Sequence, residues 1–348
     1  MKARFLIFIR HFCLLCLASW ALEPQAGAQT PLGLNIQMNA GQAQLTVTGA
    51  VGTKCQIQWT DKLSAGNRWF HLGFSILTES PSPLTDPASS SATIRFYRAV
   101  WTPNTNLVWI SPGTFTMGSP TSEALRNPDE TQHLVTISRG FWMGKYLVTQ
   151  ADYLSVVGNN PSAFTGDLTR PVEQVSWSDA TNYCALRTQQ ELVAGLIPAN
   201  YLYRLPTESE WEYAARAGTT AAFYLGSGLH SGQANFYGPA EYDAGLGDVY
   251  NPSGISLGTT TPVGSFAASG WGLYDMIGNV WEWCQDWYDT YPTGPVTDPQ
   301  GASSGSGRVF RGGNWYSYGR YCRSAYRSSA PTAASYAFGF RVVLAPSQ

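Results

Sequence analysis

Short stretches of alternating apolar and polar residues run through the chain from about residue 33 to residue 101. They read LNIQMN, QLTVTG, CQIQWT, WFHLG and ATIRFYRAV, and clusters of Gly, Ser, Pro and Asp separate them. A period of two is typical of strands with one buried face, and short strands at this spacing favour a small β-sandwich. We therefore predict an all-β domain over residues 33–101. Its aromatic core is expected to contain Trp59, Trp69, Phe70, Phe96 and Tyr97.

Helical periodicity appears only after residue 107, where three helix starts can be recognised from capping residues. The predicted N-caps are Thr149, Ser176 or Ser178, and Thr207, the last with Glu210 placed to complete a capping box. Gly158 and Gly218 supply helix stops. On the second helix Ala180, Tyr183 and Cys184 share one face, which is expected to point inward.

Beyond residue 218 the chain is rich in Gly, Asn, Ser and Tyr and has almost no helical pattern. Irregular chain of this length is uncommon in a compact domain unless other interactions hold it in place. Metal ions, disulfides and buried aromatic side chains are the available interactions.

The first residues have the pattern of a secretory signal peptide, predicted over residues 1–28. A basic start is followed by an apolar run at residues 12–22 and by the small residues Ala26, Gly27 and Ala28. The mature protein is therefore expected to be secreted or periplasmic. No other stretch is long and apolar enough to predict a transmembrane segment, and a formal charge of −2 argues against a nucleic acid partner.

Four cysteines follow the predicted cleavage site: Cys55, Cys184, Cys284 and Cys322. In an oxidising compartment they could form disulfides, and sequence alone does not choose among the three possible connectivities. The mature histidines, His71, His133 and His230, are far apart in sequence, so a zinc or histidine-rich iron site has no local support.

Eight sequence blocks occur in order after residue 107. They are FTMGS (115–119), GFWMGKYLVTQADY (140–153), RPVEQVSWSDATNYC (170–184), YRLPTESEWEYAARAG (203–218), GLYDMIGNVWEWCQDWY (272–288), RVFRGGNW (308–315), CRSAYR (322–327) and FGFRVV (338–343). Together they resemble the formylglycine-generating enzyme family, also called sulfatase-modifying factors, over about residues 107–345. The resemblance implies an irregular α+β fold related to C-type lectins, preceded here by the small all-β domain.

The best-studied members of that family use Cu(I), held by two thiolates, and molecular oxygen to oxidise a sulfatase cysteine to formylglycine. Cu(I) is soft and favours sulfur ligands. The matching positions here are Ser317 and Cys322, so a hydroxyl replaces one thiolate, and Asn314 stands where the family has a serine facing the oxygen site. In the oxidase hypothesis, Tyr321 and Trp281 would lie beside the substrate cysteine.

A second alignment gives Cys322 a different role. Counted backward from the FGFR block, the loop is about three residues shorter than in enzymes that carry both thiolates. Cys322 then matches a family cysteine that forms a disulfide with the cysteine of the Tyr-Cys helix motif, here Cys184. Three interpretations stay open: a disulfide between Cys184 and Cys322, a free thiol, or a remnant metal ligand.

Calcium is the better supported metal. In YDMIGNVWEW, Asp275 and Glu282 flank Gly278 and Val280, whose carbonyls can turn inward, and Ca²⁺ prefers such oxygen ligands. The family has a calcium site at the matching positions. A second, weaker family site matches Asn235 and the carbonyl of Phe236. The alternative is that these carboxylates cap turns and pair with arginines.

Two functions from different classes follow. The favoured one is an exported binding or scaffolding protein that keeps the fold, lacks one copper ligand and uses its groove for a peptide, protein or glycan. The alternative is a copper-dependent oxidase acting on a sulfatase. Arg323, Arg327 and Arg341 are expected to satisfy carbonyls of the surrounding loops, since a guanidinium offers five donors.

Overall fold

The computed structural model describes residues 32–39, 42–49, 54–60, 70–76, 82–86, 95–103, 106–332 and 337–347. The predicted signal peptide at residues 1–28 and Trp69 lie outside the described residues. The chain divides into two compact units, one drawn from residues 1–105 and 191–199, the other from residues 106–190 and 200–348.

The first unit contains six strands in two antiparallel three-stranded sheets, ordered β1-β2-β5 and β4-β3-β6. The strands are β1 (Gly33–Asn39), β2 (Gln42–Thr48), β3 (Lys54–Thr60), β4 (Phe70–Ile76), β5 (Ser82–Asp86) and β6 (Phe96–Thr102). Inward residues of both sheets, among them Leu45, Val47, Cys55 and Ile57, form one core. Alternating apolar positions thus give two sheets that bury one face each, as expected of a sandwich.

The remaining elements form a mixed α+β unit with few helices, which confirms the predicted fold class. They are β7 (Leu107–Ile110), β8 (Gly113–Met117), β9 (His133–Ile137), β10 (Phe141–Gly144), α1 (Gln150–Val157), α2 (Trp177–Val193), β11 (Tyr201–Arg204), α3 (Glu208–Arg216), β12 (Gly228–Leu229), β13 (Ala240–Asp243), β14 (Gly247–Tyr250), β15 (Trp281–Trp287), β16 (Val296–Thr297), β17 (Arg308–Arg311), β18 (Ser328–Ala330), β19 (Phe338–Gly339) and β20 (Val343–Pro346). The sheet orders are β11-β20-β10-β7, β12-β13-β14, β18-β17-β15-β19 and β16-β9-β8.

Helices α1 and α2 begin where the sequence predicts. Thr149 caps α1 in a capping box with Asp152, and Gly158 ends it with a left-handed conformation. For α2 the structure selects Ser176 over Ser178, because the Ser176 hydroxyl accepts the Asp179 N–H at 3.1 Å. The predicted inward residues of α2 are buried.

Helix α3 is the centre of the second unit. Thr207 caps it together with Glu210, as predicted, but the helix ends at Ala217 in a left-handed conformation and not at Gly218. All of its residues are buried, and it contacts β8, β15 and β17. Trp211 lies fully inside the main hydrophobic core. The helix can therefore hold charged side chains at fixed positions beneath the irregular chain that follows.

No helix among the described residues combines the length and the apolar character needed to cross a membrane.

Candidate functional site

The site begins with a buried arginine at the end of β17. Arg311 has no exposed surface, and its guanidinium donates to Glu212 and, at 3.2 Å, to Glu208 of α3. It also donates to the carbonyls of Ser324 and Ala325, at 2.7 and 3.1 Å. Two α3 carboxylates and one guanidinium thus fix both ends of the segment that contains Ser317 and Cys322.

Other arginines repeat this arrangement. Arg327 donates to Glu208 through Nε (2.8 Å) and Nη2 (2.7 Å), and Arg323 donates to Glu123 (2.5 Å) and Glu130 (2.7 Å). The expected carbonyl bonds are present for Arg323, Arg327 and Arg341, and each of these arginines also pairs with a buried carboxylate distant in sequence. Sequence reasoning missed these ion pairs because no local pattern joins their members.

Two glycines allow the segment to turn over the core. Gly312 and Gly313 have φ angles of 93° and 79°, values that only glycine adopts freely. A Cβ at Gly313 would lie 2.3 Å from the sulfur of Cys322. The backbone therefore lies directly on the thiol, and no larger residue fits at this position.

Ser317 is hydrogen-bonded within its own turn. Its hydroxyl donates to Oδ1 of Asn314 at 2.7 Å and accepts the N–H of Asn314 at 3.1 Å. Both side chains are buried. The Ser317 hydroxyl, at the position that the resemblance matches to one thiolate, is thus engaged in hydrogen bonds within the turn.

Cys322 is a core residue. It is 1% exposed and belongs to an apolar cluster with Phe223, Phe236 and Ile277. Burial raises the pKa of its thiol well above the usual range. Cys184 and Cys322 are both free thiols here, so the disulfide expected from the resemblance is not present. The two thiols have different environments, because Cys184 lies on α2 near the charged side chains of Arg187 and Arg204.

The two aromatic candidates are brought together through a third ring. Trp281 is 9% exposed and its ring centroid lies 5.9 Å from that of Tyr326. Tyr326 in turn packs edge-on against Tyr321, at 5.0 Å. The sequence reading did not single out Tyr326, although it stands inside the CRSAYR block.

The predicted calcium segment is a turn with positive φ at Asp275 (56°), Gly278 (74°) and Asn279 (67°). Asp275 is 5% exposed, and burial raises the pKa of its carboxyl to about 6. Its Oδ2 accepts the N–H of Gly264 at 2.7 Å, whereas Oδ1 has only a 3.5 Å contact to Asn279. This carboxylate therefore has spare capacity to accept a donor or a cation.

Glu282 is fully buried and pairs with Arg341 through both oxygens, at 2.6 and 2.9 Å. Each oxygen accepts one bond from that guanidinium and keeps a second lone pair. Val280, which lies between Asp275 and Glu282 in the sequence, is also buried. Asp275 and Glu282 together carry two negative charges against the single charge of Arg341, which leaves the segment net negative when both are ionised.

Asn235, the residue matched to the weaker site, bridges to this turn. Its amide nitrogen donates to the carbonyl of Thr259 (3.0 Å) and to Asn279 (3.3 Å). Its Oδ1 is buried and has no hydrogen-bond partner within the described part of the chain. The side chain of Phe236 is buried beside Cys322. No group of three or more His, Cys, Asp or Glu side chains suited to a metal occurs among the described residues.

Four exposed tyrosines lie on segments that meet at the 3₁₀ turn Gly319–Cys322 or flank it, and we call them the tyrosine surface: Tyr237 (38% exposed), Tyr250 (77%), Tyr316 (43%) and Tyr318 (42%). Tyr237 and Tyr318 stack with centroids 5.7 Å apart. Strand β14, which ends at Tyr250, packs against the 3₁₀ turn Gly319–Cys322, and Arg320 of that turn pairs with Asp248 at 2.8 Å. The sequence shows the tyrosines at 316–321, but only the fold adds those from two other segments.

The model of the sulfatase-modifying factor enzyme 1-like domain matches residues 96–346. The chain belongs to the sulfatase-modifying factor family.

Relatives within this family carry different names. The formylglycine-generating enzyme of Streptomyces coelicolor is 37% identical over 190 residues, which cover 52% of this chain and 54% of that enzyme. The chain thus spans about half of its length. Chaperone protein LppX of Paenibacillus barcinonensis is 34% identical over 211 residues, which cover 53% of this chain and 71% of that protein.

A solved structure supports the fold. Treponema denticola variable protein 1 superposes with a TM-score of 0.57 at 26% identity, covering 70% of this chain and 99% of that chain. The sulfatase-modifying factor fold is therefore present, whereas the chemistry of each member has to be argued from its own residues.

The donor set does not fit the copper site of a sulfatase-modifying oxidase. A linear Cu(I) site needs two soft ligands, and the matched positions offer one buried thiol and a hydroxyl already hydrogen-bonded to Asn314. The calcium segment offers donors of the kind that Ca²⁺ prefers, because Asp275 is an underused carboxylate and Glu282 is a second one, and Asn235 adds an amide oxygen with no hydrogen-bond partner in the described part of the chain.

Proposed function

We propose that this protein is an exported, secreted or periplasmic member of the sulfatase-modifying factor family that binds polypeptide partners and does not oxidise cysteine with copper. The observation that carries the proposal is the hydrogen-bonded pair of Ser317 and Asn314 above a single buried thiol, Cys322. A thiolate, not a thiol, binds metal and reacts. Cu(I) favours a pair of soft sulfur ligands, and a single buried thiol beside a hydrogen-bonded hydroxyl does not supply such a pair.

The tyrosine surface supports the binding role. Exposed aromatic patches of this kind mark interaction sites, and tyrosines supply large contact area at a low cost in side-chain entropy. Tyr237 stacks on Tyr318, and Arg320 pairs with Asp248, so these side chains already contact one another before binding. A relative named as a chaperone protein agrees with polypeptide as the partner.

Copper titration tests the absence of oxidase activity. The purified wild type is expected to bind Cu(I) no more tightly than a Cys322→Ala variant and to consume no oxygen with a Cys-x-Pro-x-Arg peptide. Copper binding by a Ser317→Cys variant alone would attribute the loss to the missing thiolate. Tight binding and peptide turnover by the wild type would contradict the proposal and support the alternative, a copper-dependent oxidase acting on a sulfatase, which the Streptomyces relative's name favours.

A second measurement tests the binding surface. Reduced and carboxymethylated α-lactalbumin, which stays unfolded, serves as the probe. Changing Tyr237 and Tyr318 together to serine is expected to weaken its binding at least about tenfold, because central aromatic residues each contribute more than about 1 kcal/mol. Leu168→Ser, which alters an apolar residue of similar exposure (44%) elsewhere, is the control. If the tyrosine change and Leu168→Ser weaken probe binding equally, the tyrosine surface is not the binding site.

We further propose that the turn from Asp275 to Glu282 binds Ca²⁺, with Asp275 and Glu282 as carboxylate ligands and the carbonyls of Gly278 and Val280 as neutral ones. Asn235 and the carbonyl of Phe236 would form the weaker second position. The ion would neutralise the excess negative charge of the turn and join it to the Asn235 segment.

Calcium is therefore expected to stabilise the fold. At about 100 times its dissociation constant, Ca²⁺ should add roughly 2.7 kcal/mol to the free energy of unfolding. The measurement compares the melting temperature of chelator-treated protein with and without added Ca²⁺, and we expect the ion to raise it. Asp275→Asn should remove most of this rise, while Asp167→Asn, at a half-buried loop position outside the turn, should keep it. If added Ca²⁺ does not change the melting temperature of the wild type, the proposal is wrong.

A further inference from the structure

A cavity of about 570 Å³ opens beside the N-terminal end of α3. The end of β15 and the segments 289–293 and 299–302 complete its wall. None of the residues assigned above to copper, to calcium or to the tyrosine surface lines it. The cavity is therefore a separate feature of the second unit.

The positive charge in this cavity is already neutralised. Arg327 is 3% exposed, and all three of its side-chain nitrogens are engaged. Nε and Nη2 donate to Glu208, and Nη1 donates to the carbonyl of Asp289 at 2.8 Å. Tyr291 also donates to Glu208, at 2.9 Å. Neither the arginine nor this glutamate has a charge left to attract a ligand.

Asp286 is different. It lines the cavity, is 4% exposed, and accepts the backbone N–H of Glu208 through Oδ2 at 2.8 Å. No lysine or arginine in the described part of the chain forms an ion pair with it. Arg204 and Arg308 feel its charge only at longer range. The cavity therefore contains one buried carboxyl without a counter-ion.

The surroundings of the Asp286 carboxyl disfavour its ionised form. Burial and the negative charges of Glu208 and Glu210 raise the pKa of Asp286 to about 7. The backbone of Gly301 presses close on the other side, where an added Cβ would lie 2.9 Å from Oδ1. A buried, poorly compensated carboxyl in a cavity is a feature of functional sites more often than of structural ones.

The other walls indicate which cation would fit. Met117, Pro292 and Pro299 are apolar, and the rings of His133 and Tyr291 lie 4.7 Å apart beside them. Glu208, the other buried carboxylate of the wall, is already bound by Arg311, Arg327 and Tyr291, which leaves Asp286 as the one buried carboxyl of the wall free to take a cation. An ammonium group on an apolar stem matches both the lone carboxyl and the apolar wall.

We propose that this cavity binds a primary alkylammonium ion, with Asp286 as its counter-ion and the apolar wall along its methylene chain. The ion can be a free amine or the lysine side chain of a polypeptide, since the recognised chemistry is the same. The charged groups around Asp286 are Glu208, Glu210 and Asp289, with Arg327 fixed to Glu208 and with Arg204 and Arg308 at longer range. Glu208 is held by Arg327 and Glu210 by Arg204, and Asp289 is exposed, so Asp286 is the buried carboxyl left for the ammonium group.

Calorimetric titration with n-pentylamine at pH 8, where Asp286 is ionised, tests this proposal. The wild type is expected to bind it at one saturable site, and Asp286→Asn should weaken binding about tenfold or more, since a hydrogen bond to a charged group contributes roughly 1.5–3 kcal/mol. The neutral analogue 1-pentanol should bind the wild type more weakly by a similar factor. Asp167→Asn is the matched control and should bind like the wild type.

Two further arms make the result decisive. Binding of Nα-acetyl-lysine methylamide as well as pentylamine would identify lysine side chains as ligands, whereas binding of pentylamine alone would identify free amines. Circular dichroism must show that Asp286→Asn is folded. Absence of saturable pentylamine binding to the wild type would overturn the proposal. A loss caused by Asp289→Asn and not by Asp286→Asn would overturn it equally.

Discussion

Replacing Arg311 by methionine is expected to lower the free energy of unfolding by about 3–5 kcal/mol, or to prevent folding altogether. The guanidinium is fully buried and neutralises Glu208 and Glu212 of α3. Methionine fills similar volume but leaves both carboxylates without this partner in the protein interior. Arg216 and Arg327 would each still hold one of them, so the loss is partial for each carboxylate.

Urea unfolding followed by tryptophan fluorescence measures this effect. Arg320→Met is the matched control, because its pair with Asp248 is about one-third exposed on both sides and such pairs contribute roughly 0–1 kcal/mol. Similar losses from the two variants would contradict the view that the buried ion pairs on α3 hold the segment from Gly312 to Arg327 in place.

The second large effect concerns pH. We expect the wild type to lose about 2–3 kcal/mol of unfolding free energy between pH 5 and pH 8 because of Asp286, at roughly 1.4 kcal/mol for each pKa unit. Its pKa is raised from 3.8 to about 7 in the folded protein by burial and by the charges of Glu208 and Glu210. The folded state therefore binds the proton more tightly than the unfolded state does.

The stabilising contribution of the protonated carboxyl is thus fully present below the unfolded pKa near 4. It is lost as the pH rises toward the folded pKa of about 7 and stays constant above it. Asp286→Asn cannot ionise, yet its amide oxygen can still accept the N–H of Glu208. The variant should therefore be more stable than the wild type at pH 8 and similar to it near pH 4.

Denaturant titrations of both proteins at pH 5, 6, 7 and 8 give the measurement. The difference between their unfolding free energies isolates Asp286 from other titrating groups, because those groups are common to both proteins. A difference that does not change with pH would mean that Asp286 is ionised throughout this range, and the ammonium site would then not depend on pH.

Local patterns predicted local structure well in this chain. Thr149 and Thr207 cap α1 and α3, because a capping box needs only residues three apart. Alternation before residue 101 likewise predicted five of the six strands described in the first unit, since a period of two sets which side of a strand is buried. It missed β5, whose sequence SPLTD does not alternate clearly. The choice of Ser176 over Ser178 and the early end of α3 at Ala217 depended on backbone geometry that sequence leaves open.

Long-range pairing was predicted poorly. The carbonyl bonds expected for Arg323, Arg327 and Arg341 are present, but the pairing of Arg311 and Arg323 with carboxylates about 100 and 200 residues away in sequence was not predicted. Of the three interpretations left open for Cys322, the bridge to Cys184 is not present, and both are free, buried thiols. Such contacts depend on where distant segments meet in the fold, and no spacing rule contains that information.

The sequence by itself determined the family and the mixed α+β fold, because these depend on the identity and order of residues. Only the tertiary structure decided that the Ser317 hydroxyl is held by Asn314, that Cys322 is buried, and that Asp286 faces a cavity without a counter-ion. Burial and partner choice are properties of the folded environment, and they set whether a given side chain is a ligand, a core residue or a binding group.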